Sequence, residues 1–314
     1  MTRRDVLKAL ALLAFGGTGF SSYAVAQSFS HKVTRYRVNP PRWTPGLNLK
    51  IGVLADFHVC EPWMSVARVE DIVRQTNALG LDAVLLLGDY VVGSRLGRFS
   101  QPVSVGAWAT ALEQLKAPLG VHAVLGNHDW WDEPEVQRRR SGPTRAGRAL
   151  QAVGIPVYEN DAVRLKKNGH AFWIAGLGDQ WAFYPRSRSA KDRARGDRRR
   201  RVYYEGVDDL PATLAQITDD APVILMAHEP DIFPSVPNRV SVTIAGHTHG
   251  GQVRLFGFAP VVPSRFGDRY VYGHIVEQGR HMIVSGGLGC SALPVRLGAP
   301  PEIVVVEVGD GDIA

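Results

Sequence analysis

Short apolar runs alternate along this chain with segments of helical spacing, and several of the runs stop abruptly at a polar residue. Thr34–Val38 alternates as a strand does, and Pro40, Pro41 and Pro45 then mark a turn. Leu49–Ala55 reads as a buried strand that stops at Asp56. Val66–Leu79 has helical spacing, with Val66, Val69, Ile72 and Val73 on one side. Ala83–Leu87 predicts a second buried strand, ending at Gly88-Asp89. Trp108–Leu115 predicts a helix, and Val121–Leu125 a third strand ending at Gly126-Asn127-His128-Asp129. A helix over Arg145–Val153 comes next. Strands are then expected at Val157-Tyr158, Ala162–Leu165 and Phe172–Leu177, with turns at Asn160-Asp161 and Asn168-Gly169. Leu210–Ile217 predicts a helix. Val223–Ala227 predicts a strand ending at His228, and Val240–Ala245 one ending at Gly246. Two more strands are expected near His281–Ser285 and Ile303–Val308, and no internal repeat is found. The pattern predicts one α/β domain with a sheet sandwich between helices.

The polar residues at these stops carry the candidate chemistry. Five apolar strands end in metal-capable residues: Asp56 and His58, Asp89, Asn127 and His128, His228, then His247 and His249. Ligands of α/β sheets sit at the carboxyl ends of strands. Five such ends would gather two carboxylates, an amide oxygen and several imidazoles in one pocket. Hard oxygen mixed with imidazole nitrogen suits Mn, Fe, Zn or Co better than Ca or Cu(I). Singly, each residue has a plainer reading as a cap or a satisfied polar group. His31, His122, His170, His274 and His281 lack such company and keep that plainer reading. A phosphate-binding glycine loop is excluded, because no Lys-Ser/Thr follows the glycines.

The segments Asp56-Phe57-His58, Gly88-Asp89, Gly126-Asn127-His128-Asp129, His228 and Gly246-His247-Thr248-His249 resemble the calcineurin-like metallophosphoesterase family, in the family's order. The segments 227–231 and 246–252, with Gly287-Leu288-Gly289 and Pro294-Val295-Arg296, are similar to a bacterial branch of phosphohydrolases with twin-arginine leaders. The resemblance implies a four-layer α/β/β/α sandwich and two divalent ions, Mn, Zn or Fe. It implies that Asp56, His58 and His249 hold one ion, that Asn127, His228 and His247 hold the other, and that Asp89 bridges them. A metal-bridging hydroxide would attack phosphorus. His128 would assist the leaving oxygen. Asp129 would either orient the His128 imidazole or cap a turn. The implied function is hydrolysis of phosphoric mono- or diesters. The alternative is a pyrophosphatase of nucleotide-linked glycolipid precursors, like UDP-2,3-diacylglucosamine hydrolase. A binding module without activity is disfavoured, since every expected ligand is present.

Composition adds where the enzyme would work. The 314 residues are 45% hydrophobic and 21% charged, ordinary for a globular protein. The net charge of +6 is uneven: Arg186–Arg201 holds nine Lys/Arg against two Asp. That stretch predicts a solvated loop, or a patch for anionic lipid or envelope polymer. Nucleic acid is disfavoured, because no aromatics are interleaved. Trp181, Phe183 and Tyr184 beside it read as packing, a substrate rim or an interfacial foot. At the start, Arg3-Arg4 precedes a short apolar run and Ala24-Val25-Ala26. This predicts a signal over residues 1–26, read by the twin-arginine export machinery, and a single domain over 27–314 in the periplasm or cell envelope, with membrane association open. Export after folding in a reducing compartment predicts free, buried thiols at Cys60 and Cys290, with a bridge as the alternative.

Overall fold

The computed structural model describes residues 22–93, 96–185, 204–254 and 256–310. Most of the expected leader, residues 1–21, and the basic stretch Arg186–Arg201 lie outside the described residues. A first helix, α1 (residues 22–29), spans the expected cleavage point at Ala26. No helix among the described residues is long and apolar enough to cross a membrane.

The strands are β1 (Lys32–Val38), β2 (Leu49–Leu54), β3 (Cys60–Glu61), β4 (Ala83–Leu86), β5 (Gln101–Pro102), β6 (Val121–Ala123), β7 (Asp161–Lys167), β8 (His170–Gly176), β9 (Val223–Met226), β10 (Val242–Ala245), β11 (Gly273–Glu277), β12 (Arg280–Val284) and β13 (Glu302–Val308). The first large sheet has the order β1-β13-β2-β4-β6, with β2, β4 and β6 parallel. The second has the order β11-β12-β10-β9-β8-β7, with β8, β9, β10 and β12 parallel. β3 and β5 form a small ribbon.

The two sheets pack face to face. Ile51, Val53, Leu85, Val304 and Val306 of the first meet Ile174, Ile224, Met226, Ile244 and Ile283 of the second. Each such fully buried side chain contributes about 1.5–3 kcal/mol. Helices α2 (Val66–Asn77), α3 (Val105–Glu113) and α6 (Arg145–Ala152) cover the outer face of the first sheet. Between α3 and α6 lie two short helices, α4 (Asn127–Trp131) and α5 (Pro134–Arg139). In α2, Val69, Ile72, Val73 and Thr76 form the buried stripe, and the Ser65 hydroxyl caps the helix by accepting the Arg68 N–H. Helix α7 (Leu210–Ala215) and the 3-10 turn Pro230–Ser235 cover the second sheet, with Leu210, Ile232 and Phe233 packed on Val223, Leu225 and Met282. The result is the expected four-layer α/β/β/α arrangement.

Some expectations shift. The strand expected at Val157-Tyr158 is reduced to an isolated bridge between Val157 and Ala123. β11 was not anticipated: its exposed residues alternate with only half-buried ones, too weak a pattern to read. The β7–β8 hairpin turns at Asn168 and Gly169, both with positive φ, as a tight two-residue turn requires. Cys60 and Cys290 are free and buried in one small apolar cluster with Leu96.

Candidate metal centre

The strand ends that face each other across the sandwich meet at one place. β2 delivers Asp56 and His58, β4 Asp89, β9 His228, and β10 His247 and His249. Asn127 and His128 open α4, just past β6. Apart from His128, which is half-buried, these side chains are buried. Asp56, His58, Asp89, His247 and His249 all have φ between +49° and +69°. A non-glycine residue pays about 1–3 kcal/mol to sit there, and such strain persists only where packing holds it. It turns each side chain off its strand axis and into the common pocket.

Asp89 is shared by two overlapping groups. Asp56, His58, Asp89 and His249 form one, and Asp89, His228 and His247 the other, with ligand atoms in each within 4.8 Å of one another. A single Asp89 oxygen, Oδ2, stands 3.5 Å from His58 Nε2 and 3.3 Å from His228 Nε2. His58 Nε2 faces His249 Nε2 at 3.0 Å, and His228 Nε2 faces His247 Nδ1 at 3.2 Å. Asn127 Oδ1 is buried without a hydrogen-bond partner. Imidazole nitrogens aimed at one another, with an orphaned amide oxygen beside them, are what a pair of cations between them would satisfy.

The Calcineurin-like phosphoesterase family matches residues 49–251, about two thirds of the chain. The chain belongs to this family. An uncharacterised metallophosphoesterase of Bacillus subtilis, YkuE, is 27% identical over 315 residues, covering 97% of this chain and 96% of the relative. An uncharacterised metallophosphoesterase of Aquifex aeolicus is 26% identical, covering 91% and 95%. Phosphodiesterase YaeI of Escherichia coli is 27% identical, covering 98% and 99%. The calcineurin-like fold uses a dinuclear metal site, and the chain is a metal-dependent phosphoester hydrolase.

Several neighbours position this phosphoesterase centre. Asp129 does not orient the His128 ring, one of its two expected roles. Its carboxylate accepts the backbone N–H groups of Asp89 at 2.9 Å, Tyr90 at 3.0 Å, Val91 at 3.2 Å and Gly126 at 2.9 Å. It sits in the first turn of α4, so it ties the Asp89 loop to the loop that carries Asn127. The backbone N–H of His128 donates to Asp89 Oδ1 at 2.8 Å. Gly126 leaves space here: a Cβ on it would lie 2.5 Å from Asp89 Oδ1. The fully buried Arg296 donates to the carbonyls of Gly286 at 2.6 Å and His249 at 3.1 Å, and stands 3.1 Å from His249 Nδ1.

Charge follows burial. Burial pushes Asp56 up to about 7 and brings His58 and His247 down to about 3. Burial and the Arg296 guanidinium hold His249 well below the usual imidazole range. Burial opposes ionisation of Asp89, but His228, His128 and His58 outweigh it and keep that carboxyl well below the usual range. Burial also opposes a charge on His228, yet Asp89, Glu229 and Asp56 raise it well above the usual range. Behind His228, the buried carboxyls of Asp179 and Glu229 crowd together, and burial followed by Glu229 pushes Asp179 well up, so the two are not both ionised.

A cavity of about 270 Å³ opens over the centre, floored by Asp89, Asn127, His128 and His247. Its wall is Trp131, Trp181, Tyr184 and Tyr204, and Pro263, Ser291 and Ala292 form the rim. Trp131 stacks with Tyr184 and with Tyr204, both at 4.9 Å, and Trp181 stacks with Tyr204 at 5.0 Å. Trp181 and Tyr184 thus line the wall of the cavity, whereas Phe183 is buried against Trp130. Tyr204 had no sequence signal, and Trp131 only its place two residues after Asp129. His122 is satisfied by Tyr158 and Leu119, and His274 pairs with His281, away from the centre.

Proposed function

We propose that this hydrolase cleaves phosphodiesters on two divalent ions. Asp56, His58 and His249 would hold one, Asn127, His228 and His247 the other, and Asp89 would be common to both sets. The observation that carries this reading is the single Asp89 oxygen poised between His58 and His228. The oxygen and nitrogen donors suit Mn, Zn or Fe. Bound there, such ions supply a hydroxide near neutral pH and neutralise phosphoryl oxygens.

The chain's own residues do the rest. His128 stands at the cavity floor with its ring 5.0 Å from that of His58 and 5.1 Å from Trp131. From there it protonates the leaving oxygen. A monoester presents more negative charge than a diester, and no lysine or arginine lines the cavity among the described residues. The stacked rings instead suit an esterified, uncharged substituent. The similarity to a phosphodiesterase supports the same choice. The rings would also stack a nucleobase, which favours the nucleotide-linked glycolipid pyrophosphatase as second reading. The Arg3-Arg4 leader pattern supports twin-arginine export to the cell envelope.

Rates on a bis-aryl phosphate, an aryl phosphate and a nucleotide-sugar, with added Mn and after chelation, test these readings. The diester should be turned over at least tenfold more efficiently than the monoester, and chelation should abolish the reaction. Preference for the monoester removes the diester reading, and preference for the nucleotide-sugar installs the alternative.

A further inference from the structure

Beside the cavity rim, the loop after β10 presents an apolar tip to solvent. Phe256 is fully exposed, and Phe258 and Val261 are 63% and 76% exposed. Leu293, on the neighbouring loop, is 51% exposed. Large exposed apolar side chains are ordinary when scattered singly, but a contiguous group marks an interaction site.

The tip is held by its base. On one side the Arg254 N–H donates to Leu297 O at 2.7 Å, and the Arg254 guanidinium donates to Gly257 O at 3.1 Å. On the other, the Ser264 hydroxyl donates to Asp231 Oδ1 at 2.6 Å and the Arg265 N–H to Asp231 Oδ2 at 2.8 Å. Gln252 Nε2 donates to Leu293 O at 2.9 Å, which keeps the two loops side by side. Both feet are therefore anchored, and the exposed Phe256, Phe258 and Val261 between them form an apolar knob.

Its charge and its place narrow the partner. The segment 253–266 contains two arginines and no acidic residue. Pro263 of the same loop, and Ser291 and Ala292 next to Leu293, form the rim of the catalytic cavity. We propose that this knob inserts into an anionic phospholipid surface, so that the cavity opens onto that surface. Resting on the phosphodiesterase reading, this makes the substrate a phosphodiester presented at a lipid interface.

The test is co-sedimentation of the metal-loaded protein with phosphatidylglycerol–phosphatidylcholine vesicles, for the wild type and for the triple variant F256S/F258S/V261S. None of these three residues lines the cavity. Wild-type protein should bind, and binding should persist in part at roughly 0.5 M salt, where charge attraction is screened to a few Å. The triple variant should lose tenfold or more of that binding and keep its melting temperature and its turnover of a soluble aryl diester. Equal binding by the variant overturns the proposal, as does a wild type that never binds or is released wholly by salt. The last result would assign binding to charge alone. A wild-type dimer that the substitutions dissolve would overturn it too, because a second copy would then cover the knob. Soluble-ester turnover reports on the hydrolase reading separately, so failure of one does not masquerade as failure of the other.

Discussion

The guanidinium of Arg296 lies 3.1 Å from Nδ1 of His249 and bonds the same residue's carbonyl. A guanidinium can only donate. It therefore excludes a doubly protonated imidazole and keeps His249 neutral, with Nε2 turned toward His58 and toward Asp56, 3.5 Å from its Oδ1. Replacing Arg296 with Met would remove the side-chain donor from the buried Gly286 and Gly289 carbonyls. The expected cost is about 3 kcal/mol or more. Thermal unfolding of R296M should show a melting temperature lower by several degrees.

Asp89→Asn removes the one charge common to both groups. Elemental analysis of D89N should find neither ion retained after dialysis, with nearly all turnover gone. Two tightly held ions in this variant would contradict sharing by Asp89.

Gly93 controls His128. A Cβ on Gly93 would stand 2.3 Å from His128 Cε1 and 2.5 Å from Nδ1, too close for the ring to stay. G93A should therefore keep its ions but slow turnover tenfold or more, chiefly for esters with poor leaving groups, which need the proton. The double variant G93A/H128A should be no slower than H128A alone, because both act through one ring. Additive losses would separate the two residues.

Metal binding should release a proton from His228. Before ions bind, burial disfavours its charge, but Asp89 and its other acidic neighbours hold it well above the usual range, so it is protonated at neutral pH. A ligand imidazole must be neutral. Metal affinity should therefore rise with pH through the neutral and mildly alkaline range. Calorimetry in buffers of different ionisation enthalpy should register proton release. His58 and His247, lowered to about 3 by burial, are already neutral and should add no pH dependence there.

Much of this centre was legible because each apolar run stopped where the chain had to turn. Asp56, Asp89 and His228 stood out as polar residues at the ends of otherwise apolar strands. What escaped depended on tertiary approach. Gly93 is one glycine among many until the fold brings His128 onto it. Tyr204 joins Trp131 and Trp181 only through tertiary approach. Asp129 was legible as a polar neighbour, but its choice between ring and backbone depended on where the Asp89 loop passes. Ser104 caps α3, so that helix begins three residues before Trp108, where apolar spacing alone had placed it.

The last described strand, β13, lies inside the first sheet, between β1 and β2. Asp56 follows β2, so the sheet that supports it is not whole until β13 has been threaded into its middle. Asp56 also needs His249 from the opposite sheet, 193 positions further on. A ribosome-bound fragment would carry half a binding site with nothing to close it. Ion binding by this set of residues should therefore follow the closing of the two sheets on each other.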